Sequence, residues 1–191
     1  SRLLDGNLGY VRCTSFSSGA DKWFEQEVVK YASARGLILD LRGNTGGYVG
    51  VVQNCLRSIF PGVLEFGIFV SRSGREKANK LKGRGEKAYQ GTLTVLIDER
   101  TASGGEIFAA LVRENRRGLL IGSTTSGQVL NSRDYKLPHD FLLSLAFRDY
   151  ITPQGIRLED AGVRPDIEIS PSINDIRSGR NPELTAAIGR F

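Results

Sequence analysis

Two glycine-rich corners hold the residues of this chain whose types and spacing could do chemistry. The first is Thr101-Ala102-Ser103-Gly104-Gly105-Glu106. Ser103 precedes an apolar stripe of Ile107, Phe108, Ala110 and Leu111 and has Glu106 three places on, the pattern of a helix opened by a capping box. A serine at that corner presents its hydroxyl at the positive end of a helix beside unpaired backbone N–H groups, where an acyl-transfer nucleophile is well placed. An ordinary capping serine has the same pattern, so this corner alone does not separate the two. The second corner, Arg42-Gly43-Asn44-Thr45-Gly46-Gly47, opens another helical pattern. Gly46 and Gly47 let the backbone turn sharply and leave N–H groups that no Cβ shields from a bound oxygen. A tight strand-to-helix turn reads the same way. A phosphate loop is disfavoured, because the lysine and serine or threonine that should follow the glycines are missing.

The elements that must position these corners are legible as periodicities. Leu93, Val95 and Ile97 alternate with small or polar residues and run into Asp98-Glu99-Arg100, which predicts a buried strand before the Ser103 corner. Leu37-Ile38-Leu39-Asp40-Leu41 is a near-continuous apolar run, the signature of a strand buried on both faces of a parallel sheet. Upstream, Leu8 to Phe16 reads as a strand closed by Ser17-Ser18-Gly19, and a helix is expected from about Asp21 to about Ala34. Val51, Val52, Cys55, Leu56 and Ile59 predict the helix after the 42–47 corner, and Phe66 to Val70 a further strand. Ser71 to Gly91 is polar with charges of alternating sign, expected as a solvated, mobile loop able to act as a lid or substrate rim.

Leu119-Leu120-Ile121 predicts a short strand entering the Gly122–Gln128 loop. Residues 132–150 suggest a hairpin with Pro138-His139-Asp140 at its turn, which makes His139 a turn residue. A short helix is expected over Glu183 to Ile188. Without an internal repeat or a linker, residues 1–191 are expected to form a single α/β domain, a mixed sheet built from strand-helix-strand units.

Composition narrows the function classes. With 40% hydrophobic residues, 191 residues suffice for a sizeable core. The net charge of +5 would permit an acidic partner, but the basic residues are dispersed among acids with little aromatic interleaving, so nucleic acid is not the expected partner. Cys13 and Cys55 read as small buried apolar residues, and together with the single His139 they lack metal-ligand spacing, so no metal site is expected. The longest apolar runs are a few residues long, which predicts no signal peptide or membrane span. A start at Ser1 and the absence of methionine suggest an excised or processed piece, whose ends do not reveal its compartment.

In series, these segments resemble the catalytic domain of the tail-specific, or carboxy-terminal processing, serine proteases. LGYVRCTSF is similar to that family's first core strand, GLILDLRGNTGG to its aspartate-leucine-arginine-x-asparagine-x-glycine-glycine motif, and VLIDERTASGGEIFAAL to its nucleophile strand and helix. LLIGSTTSGQ, YITPQG and EDAGVRPDIEI continue the likeness in order, from about Gly9 to Ser170. The resemblance implies a ClpP/crotonase-like mixed core, a protein or peptide substrate, no cofactor, and an extracytoplasmic location, periplasmic or membrane-associated. The family core is usually preceded by a peptide-recognising PDZ domain, and no segment of this chain resembles one. By position, Ser103 matches the nucleophile, and the N–H of Gly104 with one from Gly46 or Gly47 matches the oxyanion hole. Donors of that kind contribute about 3 to 4 kcal/mol each in comparable enzymes.

The general base is where the chain departs from the family. A lysine is expected at the position of Gln128, and an amide cannot take the serine proton; its supporting glutamine is replaced by Ser132. The tricorn-like branch uses a histidine on the first strand, where this chain has Arg12, which does not deprotonate. Glu159 falls near that branch's supporting glutamate and is expected to pair with Arg12. His139, at a distant turn, is not expected to be catalytic. The expected function is therefore a serine peptidase whose base comes from a segment outside this chain, from a partner subunit, or from an unconventional residue, with a missing PDZ domain or a partner subunit as the expected protein partner. The alternative is a non-catalytic ligand- or peptide-binding domain on the same scaffold, as in interphotoreceptor retinoid-binding protein. A crotonase-like acyl-transfer or hydratase enzyme is the third reading, disfavoured by the peptidase motifs in series.

Overall fold

The computed structural model describes residues 1–75 and 77–191; Glu76, inside the expected 71–91 loop, lies outside them. In chain order the elements are β1 (Arg2–Leu4), β2 (Leu8–Arg12), α1 (Ala20–Lys30), β3 (Gly36–Asp40), α2 (Val49–Arg57), β4 (Val63–Ser71), β5 (Gly74–Arg75), β6 (Asn79–Lys82), β7 (Thr92–Ile97), α3 (Gly104–Glu114), β8 (Leu119–Gly122), β9 (Asn131–Lys136), β10 (Leu142–Ile151), β11 (Ile167–Glu168), α4 (Ile173–Ser178) and α5 (Pro182–Ile188). One sheet runs in the order β1-β2-β3-β7-β8-β11. Its strands from β2 to β11 are mutually parallel, and β1 is an antiparallel edge. The second sheet is antiparallel, in the order β5-β4-β10-β9, with β6 also paired to β4. This is the mixed α/β architecture expected from the sequence.

Strands β2, β3, β7 and β8 follow one another across the sheet, so right-handed crossovers place α1, α2 and α3 on one face. Alternation along each strand then divides the core. Val11, Leu37, Leu39, Val95, Ile97 and Leu120 point to the helices, whereas Leu8, Ile38, Leu96 and Ile121 point to the opposite face, which α5 covers through Ala187. Phe108 of α3 stacks on Phe16 with ring centroids 5.7 Å apart and meets Phe24 edge-on at 6.1 Å. Aromatic pairs of this kind add about 0.5–1.5 kcal/mol each beyond area burial, and here they fix the helix that begins at Ser103. Parallel strands end at the same sheet edge, so the connections after β2, β3, β7 and β8 gather there.

Several expectations change. The first strand stops at Arg12, and Phe16 forms an isolated parallel bridge to Gly47. Helix α1 ends at Lys30, well before Ala34. The expected mobile loop is partly structured: β6 pairs antiparallel with β4, and Leu81 and Tyr89 are buried. Lys80 and Lys82 flank a single inward Leu81, a strand too short and too charged to stand out in the sequence. Helix α4, unanticipated, has a complete capping box between Ser172 and Asp175. The 132–150 hairpin forms as expected, with His139 in its exposed turn.

Candidate active site

Ser103 is the N-cap of α3 and adopts φ 53°, ψ −118°. A residue with a Cβ rarely occupies that region, and holding it there costs about 1–3 kcal/mol, so neighbours must enforce it. Its N–H lies 2.9 Å from the Gln128 carbonyl and 3.0 Å from Glu106 Oε2. Just before it, the Ala102 N–H donates to the Asn44 carbonyl at 2.8 Å. Thr101, fully buried, donates through Oγ1 to the Leu41 carbonyl at 2.9 Å. The serine corner is thus sewn to the end of β3 and to the 122–128 loop.

The glycine corner packs directly against it. A Cβ on Gly46, which has φ +90°, would lie 2.6 Å from Ser103 Cβ and 2.7 Å from the Gly104 nitrogen. A Cβ on Gly47 would lie 2.3 Å from the Phe16 carbonyl oxygen, and one on Gly104 would meet Val52 Cγ2 at 2.8 Å and the Gly47 nitrogen at 3.5 Å. Only glycine allows this approach. The Gly46 N–H is already engaged, donating to Asn44 Oδ1 at 2.8 Å. Among the described residues, the N–H groups of Gly47 and Gly104 donate to no protein acceptor. Two unspent donors therefore flank the serine, and the Gly104 N–H also stands at the positive end of α3. Of the two glycines on this side, Gly46 has its N–H committed to Asn44, and among the described residues Gly47 has an N–H without a protein acceptor.

Asn44, which sequence reading did not single out, holds the glycine corner. It is fully buried, donates through Nδ2 to the Cys13 carbonyl at 2.9 Å, and accepts from Gly46 through Oδ1. An asparagine two places before a glycine is a local turn signal, but its reach to Cys13 leaves no trace in the sequence. Glu106 does more than cap. Fully buried, it accepts from Thr125 Oγ1 at 2.6 Å, the Gly127 N–H at 2.7 Å, the Gln128 N–H at 2.9 Å and the Ser103 N–H at 3.0 Å. Both oxygens are fully occupied, so Glu106 is not available as a base.

Gln128 is next to Ser103 through its backbone, and its side chain is exposed. Glu159 does not pair with Arg12. Its Oε2 accepts from the N–H groups of Val129 at 2.7 Å and Leu130 at 3.2 Å, anchoring the root of the hairpin. Arg12 is exposed and lines a cleft with Tyr10, Asp40, Arg42 and Asp98. The pair fails because Arg12 shares the side of β2 that carries Tyr10, which packs on the core under α5, whereas Val11 faces the helices. Ser132 lies on exposed β9. Among the described residues, no His, Lys, Asp or Glu side chain hydrogen-bonds to Ser103 Oγ.

The motif residues Asp40 and Arg42 tie the end of β3 to Tyr10 and to the start of α5. Arg42 donates to Asp40 through Nε at 2.9 Å and Nη2 at 2.7 Å, and through Nη1 to Asn181 at 2.9 Å; Nη1 also pairs with Glu183 at 3.2 Å. Burial pushes the Asp40 carboxyl up, but the Arg42 hydrogen bonds and charge outweigh it and hold Asp40 below the usual range. Tyr10, half-buried and donating to Asp40 at 2.6 Å, is pushed up to about 12. Cys13 and Cys55 are free buried thiols, and burial raises Cys13 to about 11, so neither is a ready nucleophile. No group of three or more metal-ligating side chains occurs among the described residues.

The comparisons with known proteins converge on the same fold. A profile described as Peptidase family S41 matches residues 7–169. The chain is 31% identical to a carboxyl-terminal-processing protease of Synechocystis sp. over 95% of its own length and 43% of that protein. It is 28% identical to a chloroplastic C-terminal processing peptidase of Tetradesmus obliquus over 87% of its length and 36% of that protein. Among solved structures, the photosystem II D1 C-terminal processing protease superposes with a TM-score of 0.77 at 26% identity, over 90% of this chain and 45% of that one. The chain thus spans less than half the length of these relatives.

Proposed function

Because the chain belongs to peptidase family S41, we propose that it is a serine peptidase hydrolysing protein or peptide chains, with Ser103 as nucleophile and the N–H groups of Gly47 and Gly104 as the oxyanion donors. The observation that carries this reading is the pair of unspent N–H groups beside a serine held in a strained conformation. Ser103 Oγ attacks the scissile carbonyl carbon, and the oxygen that gains charge sits between the two donors. Collapse of the tetrahedral intermediate breaks the C–N bond, and the leaving amine takes a proton. Water then releases the acyl group from Ser103.

Ser103 also needs a proton acceptor. Gln128 cannot be one, Glu106 is saturated, Arg12 stays charged and His139 lies in the hairpin turn. In this reading the base comes from a partner subunit, from chain outside these 191 residues or from an unconventional residue, and the 191-residue unit alone hydrolyses slowly. An extracytoplasmic location belongs to the same reading, by likeness to the family. Peptide hydrolysis by the parent and by Ser103→Ala tests it. Turnover that Ser103→Ala abolishes supports the reading, and equal turnover in both contradicts it.

A further inference from the structure

The β9–β10 hairpin is an amphipathic ribbon with its apolar face uncovered. Among the described residues, 142–146 of β10 pair only with β9, beyond the end of β4. In the register, Leu143 stands opposite Tyr135 and Leu145 opposite Arg133, on one face, while Ser144, Asp134, Ala146 and Ser132 occupy the other together with the end pair Leu142 and Lys136. Tyr135, Leu143 and Leu145 are 47%, 40% and 48% exposed. A two-stranded ribbon is marginally stable in water unless one face is packed, so an apolar face of this kind calls for an occupant.

This face continues the core side of the sheet. Past the bulge, Arg148 and Tyr150 share the face of Asn131, Arg133 and Tyr135. Tyr150 is fully buried and packs on Phe69 with centroids 5.4 Å apart, and Arg148 lies over both Phe69 and Phe147 at 4.9 and 4.7 Å. One end of this surface, the root where Asn131 pairs with Arg148, adjoins the candidate site. A cleft lined by Phe66, Phe69 and Arg148 also includes Val49, two residues after Gly47. Strand β9 begins three residues after Gln128, whose carbonyl accepts from Ser103.

We propose that this face and the cleft at its root form a substrate track: an extended polypeptide with apolar side chains at alternate positions lies along Tyr135, Leu143 and Leu145 and passes Val49 and Phe69 to reach Ser103. The proposal rests on the peptidase reading and names its substrate class. Alternate side chains of an extended chain point to one side, matching the spacing of residues along the ribbon face. A second copy fits less well. Two-fold pairing of β9 with itself centres on Arg133 or Asp134, setting like charges against each other, and Lys136 also guards that edge.

The test uses Tyr135→Ser/Leu143→Ser/Leu145→Ser, all at exposed positions, combined with Ser103→Ala for binding and alone for labelling. Two dye-labelled twelve-residue peptides of equal charge, one with leucine at alternate positions and one with serine there, are titrated by fluorescence anisotropy. The Ser103→Ala chain is expected to prefer the leucine peptide by about tenfold or more, and the added triple substitution is expected to erase that preference. A small fluorophosphonate, which needs no track, should label Ser103 equally with and without the triple substitution. A leucine preference that survives the triple substitution overturns the track. So does a triple variant whose only change is dissociation of a dimer in sedimentation. Failure of the fluorophosphonate to label even the parent counts against the peptidase reading and leaves the binding comparison to judge the track separately.

Discussion

The N–H of Ser103 lies 2.9 Å from the carbonyl of Gln128, so the candidate nucleophile and the residue standing where the family resemblance places a lysine are neighbours across a backbone hydrogen bond. The 122–128 loop is held there by Glu106, and a longer side chain at position 128 therefore starts beside the serine.

Gln128→Lys, alone or with Ser132→Gln, is expected to raise peptide hydrolysis by about 10²–10⁴-fold, the usual worth of general-base assistance. The lysine must lose its proton to act, so the gain should grow as pH rises towards the pKa of the new amine. Steady-state kinetics against pH on folded variants gives the answer. Unchanged rates across the pH range in both variants would show that position 128 does not reach the serine hydroxyl.

Glu106→Gln should loosen the whole corner. The carboxylate accepts from four donors, and an amide oriented towards them presents an NH₂ to at least one N–H. A loss of about 2–4 kcal/mol of stability is expected in urea unfolding, together with slower reaction at Ser103. Full stability with unaltered reactivity would mean that the loop is held by other contacts.

Gly46→Ala separates packing from donor chemistry. The Gly46 N–H serves Asn44, yet its Cβ would lie 2.6 Å from Ser103 Cβ at φ +90°. The serine must shift, and a displacement near 1 Å costs about 10²-fold in rate. Circular dichroism should show a retained fold while labelling of Ser103 falls by that order. Equal labelling of variant and parent would refute the close approach.

Much of this arrangement was legible in the sequence where the signal is local. A near-continuous apolar run gave away β3, alternation gave away β7, and the capping-box spacing placed α3. The two glycine corners pointed to each other only through the family resemblance. What stayed hidden is long-range. Nothing near Glu106 announces Thr125 or Gly127, and nothing near Asn44 announces Cys13. The Arg12–Glu159 pair failed for a related reason, since an alignment places residues along a strand without fixing which face its end presents to a distant loop. Strand β6 escaped because one inward Leu81 among lysines does not make a visible period.

Asp40 gives the pH dependence. Its folded pKa is held below the unfolded value of about 3.9, so the unfolded state binds the proton more readily. The Asp40–Arg42 contribution is fully present above about pH 4 and is lost as pH falls through the folded pKa. Urea midpoints measured from pH 6 downwards should drop in this window for the parent and drop less steeply for Asp40→Asn. That variant should already be weaker near neutrality by about 3 kcal/mol, because it leaves Arg42 only partly paired. Identical slopes for the two proteins would remove Asp40 from the acid transition.

The most direct test of the site is labelling of the parent chain with a small fluorophosphonate, followed by peptide mapping in a mass spectrometer. The expected result is a single adduct on Ser103, absent from Ser103→Ala, unchanged in His139→Ala, and slowed at least tenfold in Gly46→Ala. A folded parent whose Ser103 stays unmodified, or an adduct on another serine that persists in Ser103→Ala, would contradict the assignment of Ser103 as the nucleophile.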